Sequence, residues 1–362
     1  MGYDGSDDMK SRVERLQKQF DQLKIDAFLV SSEANLQYLT GMADMAGDGY
    51  LLVLAQGVYL ITDARYQTAF ADQYDDQHLI ITRDYLGAVC EIIANTHTGV
   101  MGFEADIPYA AYSYLDENLV SDLVALPDVV DDLRITKSSD EIDRLRASAH
   151  LADAGFEYVT SIVRPGMREV DVSNLLDAFM RTHGASGPSF TTIVLGGARA
   201  ALPHGTASKA VLAAGQLVTL DFGYFLNGYT SDMTRTFALG TPDAKLVTAY
   251  QAVQAAQQAV VDQVKAGAAT AQLDAVGRDL LTKAGYGSAF NHGMGHGIGL
   301  AIHEGPLISK NTTATLVANS VVTVEPGVYF PDLGGMRIED DVLVTTDGHE
   351  RLTTATRDLL IL

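Results

Sequence analysis

The stretch "QLVTLDFGYFLNGYTSDMTRTFAL", residues 216–239, has the pattern of a β-hairpin. Asn227-Gly228 lies between two runs rich in β-branched and aromatic residues, and this dipeptide is the strongest short signal for a two-residue hairpin turn. A turn at that place sets Asp221 opposite Thr234. The pattern therefore predicts two paired strands and also fixes their register.

Two aspartates of this hairpin are expected on one face. Asp232 lies two residues from Thr234, and side chains two apart along a strand point the same way. Asp221 and Asp232 are then diagonal neighbours, roughly 5–8 Å apart at Cβ. Because aspartate is disfavoured in strands and like charges repel, either a cation lies between them or both carboxylates face solvent.

A second hairpin is predicted from residues 321–345, "VVTVEPGVYFPDLGGMRIEDDVLVT", around a turn at 331–334. Glu325 then falls within one residue of facing Glu339. A four-residue loop pairs Glu325 with Asp340 instead, so the two glutamates share a face only if the loop is odd or a bulge intervenes. The pattern leaves this register open.

The two hairpins belong to a faint internal repeat. Residues 163–185 resemble residues 264–286, with equivalent glycines 101 positions apart, and "VTLDFG" (218–223) resembles "VTVEPG" (322–327) at an offset of 104. Two matches in the same order suggest a duplicated unit of roughly a hundred residues. Two unrelated helix-turn-strand segments are the alternative.

A histidine-rich stretch supplies nitrogen donors. "NHGMGHGIGLAIHEGP" (291–306) contains His292, His296 and His303 among five glycines. Histidine binds metal through neutral imidazole and moves protons near neutral pH. Two Asp, two Glu and one His form an oxygen-rich donor set that suits two divalent ions, Mn²⁺ first, with Co²⁺, Zn²⁺ or Fe²⁺ as alternatives. Two ions about 3.5–4 Å apart can share and orient a hydroxide and polarise a carbonyl.

Composition limits the partners and the compartment. The chain has 362 residues, with 46 acidic against 25 basic side chains and a formal net charge of −21. This charge argues against nucleic acid or an anionic membrane as a partner. The single cysteine, Cys90, excludes an internal disulfide, and the sequence shows neither a signal-peptide pattern nor a run of about 20 apolar residues. We therefore expect a cytoplasmic protein.

A change of pattern near residue 135 predicts a domain boundary. Helix-like and strand-like segments, among them a short buried strand within 26–32, alternate up to about residue 125, which is typical of an α/β domain. Ser138 to Glu141 then has the sequence of a capping box at the start of a long helix. We expect one domain over 1–133 and a second over 134–362.

These residues resemble the pita-bread metallopeptidases, namely methionine aminopeptidase, Xaa-Pro aminopeptidase (aminopeptidase P) and Xaa-Pro dipeptidase (prolidase). The resemblance covers essentially the whole chain. It implies an α/β amino-terminal domain of the creatinase/prolidase type and an α+β carboxy-terminal pita-bread domain with an internal pseudo-two-fold repeat. By this match Asp221, Asp232, His296, Glu325 and Glu339 would be the metal ligands, with Asp232 and Glu339 bridging the two ions.

The same resemblance implies accessory catalytic residues. His204 in "LPHG", His292 and His303 would line the substrate site and stabilise the transition state. Glu325 counts as catalytic as well as a ligand, and Arg337 in "MRIED" would hold the polar network or the substrate. Taken alone, His204 could be a turn residue, His303 a loop cap and Arg337 a surface cation.

The subfamily is expected from three further segments. "SSEANLQYLTGM" (31–42) and "LITDARY" (60–66) resemble the amino-terminal domain of aminopeptidase P, prolidase and creatinase. "PSFTTIVLGGARAALPHG" (188–205) is similar to the short bacterial aminopeptidase P group, so we expect a homodimeric Xaa-Pro aminopeptidase acting on proline-containing peptides. Prolidase is the alternative; a metal-free creatinase-like hydrolase and a non-catalytic binding protein are remoter ones.

One argument against prolidase concerns the free carboxylate of a dipeptide. Bidentate arginine is the natural group to hold it. Arg65, Arg199 and Arg337 are the candidates, and nothing in the sequence places Arg65 or Arg199 in the site. We therefore expect peptides of three or more residues to be better substrates than Xaa-Pro dipeptides.

Overall fold

The computed structural model describes residues 6–43, 45, 47–71, 73–75 and 78–362, with the backbone alone for residues 6–8. The chain divides into two compact units, Met1–Arg134 and Ile135–Leu362. Within the described ranges, none of the helices combines the length and the apolar character needed to cross a membrane.

The first unit is built on a mixed sheet that has six strands within the described residues, in the order β4-β3-β2-β1-β5-β6. The strands are β1 (Ala27–Val30), β2 (Gly49–Leu54), β3 (Gly57–Thr62), β4 (Leu79–Ile81), β5 (Val100–Glu104) and β6 (Asp122–Leu126). Neighbouring strands are parallel except that β2 is antiparallel to both β1 and β3. The predicted strand within 26–32 is β1, whose four residues are all buried.

Helices accompany this sheet, and apolar side chains from both form its core. The helices are α1 (Ser6–Gln17), α2 (Phe20–Leu23), α3 (Glu33–Thr40), α4 (Gln67–Phe70), α5 (Tyr85–Thr96), α6 (Tyr109–Asn118) and α7 (Val129–Ile135). Leu29 and Leu52 of the sheet pack in one cluster with Val89 and Ile93 of α5. The alternation of helix and strand predicted for an α/β domain is confirmed.

The second unit contains long helices and several antiparallel sheets. Its helices are α8 (Ser139–Ile162), α9 (Glu169–Thr182), α10 (Ala244–Val261) and α11 (Thr270–Lys283), with 3₁₀ turns at Gly197–Ala201 and Gly287–Ala289. Its strands are β7 (Gly187–Pro188), β8 (Ile193–Gly196), β9 (Gln216–Phe222), β10 (Tyr224–Phe225), β11 (Met233–Leu239), β12 (Gly295–Gly297), β13 (Glu304–Ile308), β14 (Val321–Val324), β15 (Gly327–Phe330), β16 (Gly334–Arg337), β17 (Asp340–Val344) and β18 (His349–Arg351).

Two sheets of this unit carry the predicted hairpins. One sheet has the order β11-β9-β8 and the other has the order β13-β12-β14-β17-β18. Helices α8 and α9 share an apolar core with the first sheet, and α10 and α11 share one with the second. The predicted capping box starts α8: Ser138 Oγ accepts from Glu141 N at 3.3 Å, and Glu141 Oε2 accepts from Ser138 N at 2.7 Å.

The first hairpin has the predicted register. Asp221 pairs with Thr234 across β9 and β11. Asn227 and Gly228 form the turn with φ of 52° and 82°, the positive values that a type I′ hairpin requires. Local turn chemistry was therefore sufficient to fix this register.

The second hairpin corrects the predicted turn at 331–334. Phe330 pairs with Gly334, so the loop contains three residues rather than four. Because Val324 pairs with Asp340 and Gly327 pairs with Arg337, the same register sets Glu325 opposite Glu339. The odd loop length resolves the register that the sequence left open.

The internal repeat is confirmed by equivalent hydrogen bonds. Gly166 N donates to Leu212 O, and Gly267 N donates to Leu316 O, both at 2.8 Å. The donors lie 101 residues apart and the acceptors 104 residues apart, which are the two offsets found in the sequence. The unit is therefore an α+β fold made of two similar halves.

Candidate metal centre

The five predicted ligands lie within or directly next to strands that meet at one cavity. Asp221 is on β9, Asp232 directly precedes β11, and His296 is the middle residue of β12. Glu325 directly follows β14, and Glu339 directly precedes β17. The cavity has a volume of about 300 Å³. It is lined by Phe190, Ile193, Pro203, His204, Asp221, Asp232, His292, Gly293, His296, Ile302, His303, Glu325, Arg337 and Glu339.

Three of these side chains are close enough to bind one ion. Asp232, His296 and Glu339 are buried, and each offers a ligand atom within 4.8 Å of the others. His296 Nε2 lies 3.5 Å from Asp232 Oδ2 and 3.8 Å from Glu325 Oε1. His296 Nδ1 lies 3.0 Å from the Gly297 carbonyl oxygen, a contact that leaves Nε2 facing the carboxylates.

The electrostatics of the cavity favour a bound cation. Burial raises the pKa of Asp232, Glu325 and Glu339 above their ordinary values, to about 7 for Glu325, and repulsion among the carboxylates adds to this rise. Burial also lowers the pKa of His296 to about 4, so its imidazole is neutral and able to bind metal. Asp221 Oδ1 is buried without a hydrogen-bond partner. Divalent metal would neutralise these carboxylates and supply the partner that Asp221 Oδ1 lacks.

Arg337 is hydrogen-bonded to two of the candidate ligands, directly to one and through Thr234 to the other. Its Nη2 donates to Asp221 Oδ2, and its Nε donates to Thr234 Oγ1 at 3.0 Å. Thr234 in turn donates to Glu339 Oε2 at 2.5 Å. Arg337 Nη1 donates to the hydroxyl of Tyr329 at 2.5 Å. Since only 4% of Arg337 is exposed, the alternative of a surface cation is wrong.

Tyr329 is a site residue that the sequence analysis missed. Its hydroxyl lies 2.9 Å from His292 Nε2, while His292 Nδ1 lies 2.8 Å from the Gly293 carbonyl oxygen. Both ring nitrogens of His292 are thus engaged within the protein. The only sequence signal for Tyr329 was its place four residues after Glu325, in strand β15, which by itself resembles any half-buried strand.

The other two histidines have free ring nitrogens. His303 lies with its ring centre 4.5 Å from that of His296, and burial lowers its pKa. His204 faces the same cavity from the segment after β8. Within the described part of the chain, neither His204 nor His303 forms a hydrogen bond, so each can donate to or accept from a ligand.

The remaining arginine candidates are held elsewhere. Arg199 Nε donates to both oxygens of Glu169, at 3.1 and 3.0 Å. Arg65 forms ion pairs with Asp63 and Asp48 at 2.7 and 2.5 Å. Neither arginine lines the cavity. The cavity therefore offers imidazoles, and no uncommitted guanidinium among the residues described.

The residues on either side of His296 are glycines because a side chain would not fit there. A Cβ at Gly295 would lie 2.0 Å from the Thr323 carbonyl oxygen, and a Cβ at Gly297 would lie 2.0 Å from the Gly305 carbonyl oxygen. Because β12 lies between β13 and β14, only glycine permits this close approach. The glycines thus allow His296 to reach the carboxylates.

Comparisons with known proteins agree with this geometry. Residues 143–346 match metallopeptidase family M24, and residues 12–136 match the creatinase/prolidase N-terminal domain. The Xaa-Pro dipeptidase of Pyrococcus furiosus is 35% identical over 354 residues, covering 97% of this chain and 100% of that protein. The solved structure of an Xaa-Pro dipeptidase from Bacillus anthracis is 39% identical, with a TM-score of 0.94 over 98% of this chain and 100% of that chain. The X-Pro aminopeptidase of Thermotoga maritima is 31% identical, with a TM-score of 0.89 over 97% and 99% of the two chains.

The family match covers the half of the chain that contains the cavity, and the second match covers most of the first unit. The predicted combination of a creatinase/prolidase N-terminal domain with a pita-bread domain is confirmed. The chain belongs to metallopeptidase family M24 and is a metal-dependent hydrolase.

Proposed function

We propose that the protein is an Xaa-Pro dipeptidase (prolidase). The observation that carries this proposal is the full-length similarity to Xaa-Pro dipeptidases from two sources, together with five candidate ligands that meet at one cavity. Xaa-Pro aminopeptidase was the first expectation from the sequence and prolidase was the alternative; we now prefer prolidase. The proposed substrates are dipeptides with proline in second position.

The proposed cofactor is a pair of divalent metal ions, with Mn²⁺ as the first choice because carboxylates dominate the donor set. Asp221, Asp232, His296, Glu325 and Glu339 would hold the pair. When bound, such ions polarise the scissile carbonyl and lower the pKa of water. A neutral His296 and ionised carboxylates are the forms that bind metal, so protons compete with the cofactor.

The protein's own groups would orient the substrate and move protons. Glu325 would take the proton of the attacking water and deliver it to the proline nitrogen, which has no hydrogen in the peptide bond. With metal bound Glu325 would be ionised, which is the form that can accept a proton. His292 would act through Tyr329 and Arg337, since its ring nitrogens are already engaged.

His204 and His303 are the proposed donors to the substrate. Both line the cavity and have free ring nitrogens. The carboxylate of an Xaa-Pro dipeptide would accept from these imidazoles, since Arg337 is committed to Asp221 and Tyr329. One of the two would also stabilise the charge that develops on the scissile carbonyl.

Xaa-Pro aminopeptidase is the second candidate. Two observations favour it, namely the similarity to an X-Pro aminopeptidase structure and a cavity whose one arginine is already bound. A neutral imidazole holds a free carboxylate less firmly than a bidentate arginine does, and a longer peptide has no carboxylate at that place. For either candidate function we also propose that the protein is a homodimer and is located in the cytoplasm.

Peptide length separates the two candidates. The metal-reconstituted protein is assayed with an Xaa-Pro dipeptide, the matching Xaa-Pro-Yaa tripeptide and an Xaa-Ala dipeptide. We expect kcat/KM for the Xaa-Pro dipeptide to exceed both others at least tenfold. A tenfold preference for the tripeptide would identify an aminopeptidase, and sedimentation of the same preparation measures the oligomeric state.

A further inference from the structure

A buried glutamate outside the cavity holds both ends of the segment that carries His204. Glu169 is the first residue of α9 and is 0% exposed. Its Oε1 accepts from Gly196 N at 3.0 Å, and its Oε2 accepts from Ser208 N at 3.0 Å and from Ser208 Oγ at 2.8 Å. One carboxylate therefore closes the segment 197–207, which we name the His204 loop.

An arginine within the loop completes this arrangement. Arg199 Nε donates to both oxygens of Glu169, and Arg199 Nη2 donates to Thr206 O at 2.9 Å. Val170 N also donates to Ser208 O at 2.9 Å. The carboxylate is thus the point at which the two ends of the loop and its interior are joined.

The position of His204 depends on the backbone of this loop. Within the described residues its imidazole has no hydrogen-bond partner, so no hydrogen bond to another side chain fixes it. Its neighbours in the chain are held by hydrogen bonds of their backbone groups: Gly205 N donates to Leu202 O at 3.1 Å, and Pro203 O accepts from Arg337 Nη2 at 3.5 Å. A shift of the loop backbone therefore moves the His204 ring relative to the candidate metal ligands.

Comparison of the two halves of the repeat shows whether the fold itself needs a carboxylate at position 169. Thr270 occupies the place of Glu169 in the second half, 101 residues along the chain. Glu169 N donates to Ala210 O and Thr270 N donates to Ala314 O, both at 3.0 Å, so the two junctions fold alike. Thr270 Oγ1 donates to Ala314 O at 2.9 Å. Because the same junction forms with threonine, its fold does not require a carboxylate.

We propose that Glu169 is a positioning residue for the peptidase reaction, which it serves by holding the His204 loop so that His204 faces the metal centre. Both halves carry a cavity histidine in the equivalent loop, His204 in the first and His303 in the second, and a carboxylate closes the loop in the first half, where the second half has a threonine. The role of His204 rests on the proposed function, whereas the closure of the loop by Glu169 does not. The two parts are tested by separate measurements.

The loop closure is tested by amide hydrogen exchange on the metal-loaded protein. Glu169→Gln keeps the size of the side chain but turns one acceptor into a donor that faces N–H groups. We expect at least tenfold faster exchange at Gly196, Ser208 and the His204 loop, with exchange in β9 and β11 unchanged. Unchanged exchange in the loop would overturn the proposal. Glu157→Gln, an exposed acid on α8, is the matched control and should change nothing.

The positioning role is tested by coupling to His204. We expect Glu169→Gln to lower kcat/KM for an Xaa-Pro dipeptide ten- to a hundredfold, with unchanged metal content per chain. In a His204→Ala background the same change should lower it less than threefold, because the group being positioned is absent. An equal loss in both backgrounds, or no loss in either, would overturn the role.

A second variant keeps the proposal testable if Glu169→Gln does not fold. Ser208→Ala removes the hydroxyl donor and leaves the carboxylate intact. It should accelerate loop exchange and lower kcat/KM about threefold or more, again only when His204 is present; equal losses with and without His204 would contradict the role. If the wild-type protein cleaves no Xaa-Pro dipeptide, the proposed function and the positioning role fail, and the exchange data still decide the loop closure.

Discussion

Removal of metal should make the folded protein lose stability as the pH rises from about 4.5 to about 7. Burial raises the pKa of Glu325 from its ordinary 4.5 to about 7 in the metal-free protein. The unfolded chain then releases this proton first, so the folded state binds more protons over the interval and the free energy of unfolding falls as the pH rises. A difference of about 2.5 pH units corresponds to roughly 3 kcal/mol.

Neighbouring carboxylates act in the same direction. Burial and mutual repulsion also raise the pKa of Asp232 and Glu339. Saturating Mn²⁺ should reverse the trend, because the folded state alone presents the assembled site and the metal binds its ionised form. The metal-loaded protein should therefore become more stable over the interval in which the metal-free protein becomes less stable.

Urea denaturation at several pH values measures this effect. Circular dichroism is the suitable probe, since the chain contains no tryptophan. Glu325→Gln is the matched control, because it removes the titrating group and should remove roughly 3 kcal/mol of the pH dependence. Equal pH dependence of the metal-free wild type and Glu325→Gln would show that Glu325 is not the titrating group. A metal-free protein that gains stability towards pH 7 would contradict the raised carboxyl pKa values altogether.

Three further outcomes are expected. Glu339→Gln should abolish turnover and reduce bound metal below that of the wild type, as measured by metal analysis; full activity would remove Glu339 from the ligands. His303→Ala should retain metal while kcat falls by about 10²–10⁴, the usual effect of losing a positioned acid, base or donor, and loss of metal would reassign it as a ligand. Arg235→Met should lower the free energy of unfolding by roughly 1–3 kcal/mol, since Asp340 keeps Arg351 and Arg357 while the buried carbonyls that Arg235 bonds lose their donor. The exposed Arg168→Met should change it by less than about 1 kcal/mol.

Local chemistry explains which parts of the site could be predicted from the sequence. The Asn227-Gly228 turn is set by its own backbone preferences, so the register of Asp221 followed from it. The register of Glu325 did not follow, because it depends on whether Gly334 joins the strand or the loop. Glycine can adopt either a strand or a loop conformation, so the surrounding structure determines which one Gly334 has.

Residues that act through other residues could not be predicted. Tyr329 and Glu169 are ordinary members of a strand and a helix, and their roles depend on partners that are distant in sequence. The expected Xaa-Pro aminopeptidase is not specifically confirmed, and its alternative, prolidase, fits the relatives better. That expectation rested on the likeness of 188–205 and on the lack of a free arginine. The structure agrees with the second point, since Arg199 is bound to Glu169 and Arg337 to Asp221, and the preference for a dipeptidase comes from the similarity to Xaa-Pro dipeptidases.

The proposed function requires that this cavity binds divalent metal and uses it to cleave Xaa-Pro dipeptides. The most direct test is to titrate metal-free protein with Mn²⁺ while following the release of proline from an Xaa-Pro dipeptide. We predict no release without metal and a rate that saturates at two ions per chain. Proline release by the metal-free protein, or no release from a protein saturated with Mn²⁺, would contradict the claim.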